Sequence, residues 1–120
     1  MKLAWVTVTV KDMDESICFY TTIVGLTVAS RRPAGPDMEL AFLGDGETKL
    51  ELVCNKTIQE YSIGASISLG FEVTSLDDTL AGLKEKGIAL HSGPFQPSPH
   101  VKFFFITDPN GLKIQFLEYM

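Results

Sequence analysis

Several things are missing from this sequence, and each absence removes a class of protein. No stretch approaches the roughly 20 consecutive apolar residues that a membrane-spanning helix needs. The first residues pass directly into an alternating apolar pattern without the charged, apolar and cleavage regions of a secretory signal, so a cytoplasmic location is expected. Ten Lys and Arg are scattered among fifteen Asp and Glu, for a net charge of −5. That distribution offers no basic footprint for nucleic acid and no attraction to an anionic membrane. The two cysteines, Cys18 and Cys54, form neither a CxxC pair nor a zinc-ligand spacing, and are expected to be reduced thiols. There is no GxSxG, no phosphate loop and no Cys paired with a His in a recognisable context.

What remains is enough for one folded domain. The chain has 120 residues, 45% apolar and only 21% charged, which supports a real core and argues against disorder.

The strongest positive signal is an internal repeat. Trp5–Ser16 reads WVTVTVKDMDES and Ser68–Thr79 reads SLGFEVTSLDDT, an offset of 63 from Trp5 to Ser68. At that offset Val10 meets Val73, Asp14 meets Asp77, and Phe42-Leu43-Gly44-Asp45 meets Phe105-Ile106-Thr107-Asp108. One inserted residue later, Lys49-Leu50-Glu51-Leu52 meets Lys113-Ile114-Gln115-Phe116.

Each half opens with period-two alternation, Val6, Val8 and Val10 in one and Leu69, Phe71 and Val73 in the other, which predicts a strand. A helix follows, capped by Asp12 or Asp14 in the first half and Ser75 in the second. Apolar residues at helical spacing (Ile17, Tyr20, Val24; Leu76, Leu80, Leu83) give each helix one buried stripe. Gly25 and Gly87 stand where left-handed C-caps are expected. Three more strands are expected in each half, near 26–32, 38–43 and 47–54, then near 88–92, 101–107 and 112–119. Asp45-Gly46 and Asp108-Pro109-Asn110-Gly111 are the turn signals of the terminal hairpins.

Alternation then sorts side chains between faces. Leu50, Leu52, Ile114 and Phe116 face the helices. Trp5, Thr7, Thr9, Lys49, Glu51 and Val53 face away, as do Ser68, Gly70, Glu72, Lys113, Gln115 and Leu117. A curved sheet with such a mixed face makes a concave binding surface.

Four stretches together resemble the vicinal oxygen chelate superfamily, the group of glyoxalases, bleomycin-resistance proteins and extradiol dioxygenases. They are Val8–Asp12 with Ser16–Tyr20, Gly25-Leu26, Phe71–Val73 with Leu76–Asp78, and the Thr107–Gly111 turn before the last strand. The resemblance runs over nearly the whole chain, about 3–118. It implies an α+β fold: tandem βαβββ modules, near 3–54 and 66–119, forming an incomplete barrel around a cleft. It also implies a homodimer, sometimes with a cleft completed by the partner chain.

In metal-dependent members of that family each module supplies a ligand from its first and its last strand. The matching positions here are Trp5, Glu51, Ser68 and Gln115, and the repeat pairs them independently, Trp5 with Ser68 and Glu51 with Gln115. An indole N–H has no lone pair to give a metal, and a neutral Ser is a poor ligand. No cofactor is therefore expected, although a divalent metal held by Glu51 and Gln115 stays open. Two functions follow: a metal-free protein that binds a small aromatic or cationic molecule, or a glyoxalase-type lyase, isomerase or dioxygenase with an incomplete metal site.

Each candidate residue has two readings. Glu51 is a base or a partner for a cationic ligand, or else a carboxylate paired with Lys49, Lys113 or an arginine. Trp5 is a stacking platform or a core filler. Gln115 bonds a ligand or Glu51, and Ser68 lines the same surface. Glu72 belongs to the cleft or its rim. Phe103–Phe105 offers aromatic rings to both faces, with Phe104 assigned to the ligand. His100 follows the proline-rich Gly93–Pro99, expected to be a rim or lid loop, and is an acid/base candidate or simply solvated; His91 matches no ligand position. Arg31 and Arg32 clamp an anionic group or are solvated.

Overall fold

The alternation at the start of each half becomes a strand, and each strand becomes the edge of a four-stranded sheet. The computed structural model describes residues 1–120. It divides them into two units, Met1–Ser62 and Ile63–Met120, one for each repeat.

In the first unit β1 (Trp5–Thr9) leads to α1 (Met13–Phe19), which continues as a π-helical turn over Tyr20–Val24. Strands β2 (Val28–Pro33), β3 (Met38–Leu43) and β4 (Lys49–Asn55) follow. The sheet order is β1-β4-β3-β2, with β1 parallel to β4 and the other pairs antiparallel. The second unit repeats this with β5 (Ser68–Glu72), α2 (Leu76–Glu85), β6 (Ser92–Ser98), β7 (Val101–Thr107) and β8 (Lys113–Tyr119), in the order β5-β8-β7-β6. Neither sheet closes on itself, because its outer strands pair on one side only.

The helix ends follow local chemistry. The side chain of Asp12 accepts from the N–H of Glu15 and that of Ser75 from the N–H of Asp78, so both helices start on a capping oxygen. Gly25 (φ 89°) and Gly87 (φ 74°) take the left-handed conformation that closes each helical segment.

Each core lies between a helix and one face of its sheet. In the first unit Val8, Val10, Phe19, Tyr20, Ala41, Leu43, Leu50 and Leu52 are buried, and α1 packs on β4. In the second Leu76, Leu83, Phe104, Ile106, Ile114 and Phe116 are buried, and α2 packs on β8. The assignment of Leu50, Leu52, Ile114 and Phe116 to the helix side therefore holds.

Two expectations are corrected. The third element of the second half is not at 88–92. The strand is Ser92–Ser98, so the proline-rich stretch is β6 and not a lid loop. It is an outer strand whose pairing with β7 is interrupted by register shifts, which is where Pro94 and Pro97 can sit without breaking a central ladder. Phe104 is the second correction. It pairs in register with Phe116 and is fully buried on the helix side, its ring 5.6 Å from that of Phe116. The open side belongs to its neighbours Phe103 and Phe105, which pair with Leu117 and Gln115.

Candidate functional site

The open face of each sheet carries the candidate residues, and register fixes their neighbours. In the first unit Trp5 lies opposite Lys49 and Thr7 opposite Glu51, while Phe42 flanks Glu51 from the other side. Thr7 donates its hydroxyl to Glu51 Oε1 at 2.6 Å, a short bond of the kind made to a carboxylate. The rings of Trp5 and Phe42 meet edge to face, 5.5 Å between centroids. They come from β1 and β3, which flank β4, so they meet over β4 beside Glu51. Trp5 is 51% exposed, which places it on a solvent-facing surface and not in a core. Lys49 turns away and its ammonium donates to the backbone carbonyl of Gly46.

In the second unit Gly70 lies opposite Gln115, and Phe105 flanks Gln115. Ser68 stands where the first unit has Trp5, exposed and opposite Lys113. With no indole there, the ring of Phe105 meets that of Phe103 edge to face, 5.7 Å between centroids, and lies 5.5 Å from the Lys113 ammonium. Gln115 Oε1 fills the space that a side chain at Gly70 would take, 3.1 Å from where its Cβ would stand.

Of the cationic partners considered for Glu51, the two lysines and Arg31 are engaged elsewhere. Lys49 is on Gly46 and Lys113 is over Phe105. Arg31 binds Glu39 through Nε at 2.9 Å and Asp14 through Nη2 at 2.7 Å. It shares the helix-side face with its partner Ala41, so it ties α1 to the sheet and is no anion clamp on the open face. Those two carboxylates raise the Arg31 pKa further above its already high ordinary value. Arg32, opposite Leu40, is exposed on the open side.

Other candidates are not drawn to these residues. His100 lies in the β6–β7 turn, where its carbonyl accepts from Met120 N–H at 2.8 Å and its own N–H donates to Ser98 Oγ at 3.1 Å. It precedes Val101, the partner of Tyr119, which places it about 17 Å of strand away from the Phe105–Gln115 pair. His91 donates its backbone N–H to the Phe105 carbonyl, and its Nδ1 lies 3.0 Å from Ser92 Oγ. Glu72 is exposed.

Sequence reasoning overlooked Thr7, which fixes the Glu51 carboxylate, and Phe42, which meets Trp5. Phe42 had a signal, its match to Phe105 in the repeat. Alternation places Thr7 on the open face, but its pairing with Glu51 depends on the β1–β4 register.

The donor set is a poor fit to the metal that glyoxalase-type folds hold. Glu51 is the one strong donor among the four positions, and Thr7 already occupies one of its oxygens. Trp5 has no lone pair for a metal, Ser68 offers a neutral hydroxyl and Gln115 an amide oxygen. Catalytic sites for such ions normally use about three protein ligands and an open position. No group of three or more His, Cys, Asp or Glu side chains is arranged to hold a metal ion.

The fold and these faces thus define a two-module βαβββ protein with an aromatic, carboxylate-bearing surface. The Glyoxalase/Bleomycin resistance protein/Dioxygenase superfamily model matches residues 2–116, and the chain belongs to that family. It is 31% identical over 118 residues to the lactoylglutathione lyase of Haemophilus influenzae, covering 91% of this chain and 86% of the relative. It is 33% identical over 117 residues to a probable chloroplastic lactoylglutathione lyase of Arabidopsis thaliana, covering 91% of this chain and 33% of that protein, so it spans about a third of the plant relative's length. Among solved structures, the trypanothione-dependent glyoxalase I of Leishmania major superposes with a TM-score of 0.83 at 25% identity, over 98% of this chain and 86% of that one. An antibiotic-binding protein from Streptomyces shares the fold, with a TM-score of 0.79 at 22% identity over 100% and 97% of the two chains. No helix is long and apolar enough to cross a membrane.

Proposed function

We propose that this protein binds a small molecule without a metal, using the open face of the first unit's sheet, which carries Trp5, Phe42 and Glu51. The observation that supports this reading is the donor chemistry: of the four family ligand positions, Trp5, Glu51, Ser68 and Gln115, only Glu51 offers a strong donor. An exposed indole beside a carboxylate suits a planar ligand better than it suits a metal ion. A metal-dependent lactoylglutathione lyase is the second reading, favoured by the identity to relatives of that name.

Elemental analysis of the purified, untagged chain for nickel, zinc, cobalt, manganese and iron separates the two. We expect below about a tenth of an equivalent of each. We also expect no lactoylglutathione lyase activity after incubation with any of them. Near one equivalent that resists dialysis, together with metal-dependent activity, would establish the second reading.

A further inference from the structure

The first unit shows something that the family's metal chemistry does not call for: a carboxylate held at one oxygen and offered at the other. Thr7 takes Glu51 Oε1, and Oε2 accepts from no group of the chain. Glu51 takes part in none of the ion pairs, which join Lys2 to Glu47, Lys11 to Glu15, and Arg31 to Asp14 and Glu39. The nearest lysine on its own strand, Lys49, is turned to the Gly46 carbonyl. Register places Phe42 opposite Glu51 and Trp5 one pair along on the same face, and their two rings meet.

An acceptor fixed in direction next to an aromatic wall recognises one chemistry. It fits a flat, apolar body that carries a single N–H or O–H donor at its edge. The body packs on the rings, and the donor reaches Glu51 Oε2. Hydrogen bonds to a charged group contribute more than those between neutral groups, so the donor is a strong determinant of affinity.

The open face also argues against a ligand chosen by positive charge alone. Lys49 and Arg32 share it with Glu51, so its fixed charges sum to no negative excess. Direction, and not net charge, distinguishes Glu51 here. The second unit supplies the contrast. There the rings of Phe95, Phe103 and Phe105 also line the face, but Gln115 replaces the carboxylate, Gly70 supplies no hydroxyl, and Lys113 covers Phe105.

We infer that Glu51 Oε2, positioned by Thr7 and walled by Trp5 and Phe42, is a hydrogen-bond acceptor subsite for a planar aromatic ligand bearing an N–H or O–H donor. This rests on the binding function proposed above and specifies the ligand's chemistry. Thr7 is a positioning residue in it, because it acts through Glu51.

The test uses the full chain and a matched pair of probes, indole and N-methylindole, in titration calorimetry. They have the same aromatic body, and only the first has a donor. Indole is expected to bind about tenfold more tightly. In Glu51→Gln the amide oxygen still faces Thr7 and the outward group becomes a donor, so the preference for indole should vanish. Thr7→Ser should keep the preference for indole over N-methylindole, and Thr7→Val should reduce it. Trp5→Leu should weaken both probes. Circular dichroism confirms that each variant is folded.

Equal affinity for the two probes overturns the subsite while leaving the binding function standing. A preference that survives Glu51→Gln also overturns it, because the acceptor then lies elsewhere. No binding of either probe overturns it too. In that case a thermal-shift screen of aromatic compounds decides separately whether the broader binding function survives.

Discussion

The two open faces were built from one plan and have been furnished differently. At the position of Trp5 the second unit has Ser68, and with that exchange the lysine and phenylalanine that both repeats carry are disposed differently. In the first unit the indole meets Phe42, and Lys49 is displaced to a turn carbonyl. In the second, the ring of Phe105 meets that of Phe103 edge to face instead, and Lys113 covers it. A second exchange, Thr7 for Gly70, decides whether the neighbouring polar group is held by a hydroxyl or settles over a bare backbone. Both faces thus carry touching rings, Trp5 with Phe42 in one and Phe95, Phe103 and Phe105 in the other, and only the first also carries a carboxylate held by a hydroxyl.

The largest effect should come from comparing opposite faces of one strand. Phe104 is fully buried on the helix side, so Phe104→Ala should cost about 3–5 kcal/mol in urea unfolding. Phe105→Ala removes a half-buried ring, its edge-to-face contact with Phe103 and one cation–π contact, and should cost about 2 kcal/mol. Similar costs at the two positions would mean that the sides are not as different as the register makes them.

A smaller effect tests the comparison between units directly. Trp5→Ser gives the first unit the residue of the second. It should cost about 1 kcal/mol through the lost edge-to-face contact. It should also free Lys49 to swing over Phe42, as Lys113 does over Phe105. The check is an upfield ring-current shift of the Lys49 side-chain methylene protons by NMR. An unchanged shift would break the proposed equivalence of the two lysines.

The smallest effect concerns Arg31, a feature of the first unit's helix side. Its side chain is 38% exposed, so solvent screens its pairs with Asp14 and Glu39. Arg31→Met should cost less than about 1 kcal/mol, and less still in high salt. Its partners raise the guanidinium pKa, so the stabilisation is complete below the unfolded-state value and is lost only as pH rises through the still higher folded-state value. The difference between wild type and variant should therefore stay level from about pH 7 to about pH 10. A gap that closes across that range would contradict the assignment.

Much of the fold was legible because it rests on periodicity. The strand faces of Leu50, Leu52, Ile114 and Phe116, the caps at Asp12 and Ser75, and the left-handed Gly25 and Gly87 all follow from local rules. The π-helical turn at Tyr20–Val24 has no comparable local signature. Strand β6 escaped because Gly93, Pro94 and Pro97 are the residues of loops, and only its place at the sheet's edge makes them tolerable. Phe104 was misassigned because three consecutive phenylalanines carry no polar residue to mark the outer side. Its face was settled by pairing with Phe116, a relation between strands. The same limit hid Thr7, whose partner lies 44 residues along the chain.

The offset between the repeats grows by one residue between the pairs Leu43–Leu50 and Ile106–Ile114, within the turn that joins the last two strands of each module. Its position matters for what mutation can do to this chain. A codon gained or lost in that turn lengthens or shortens a loop and leaves every strand in phase. The same codon gained within β4 ahead of Glu51 would reverse the facing of all that follows, sending the carboxylate toward α1 and Leu52 toward solvent. Length variation in relatives that keep this architecture should therefore collect in the hairpin turns, and an alignment gap drawn through a strand should be redrawn there.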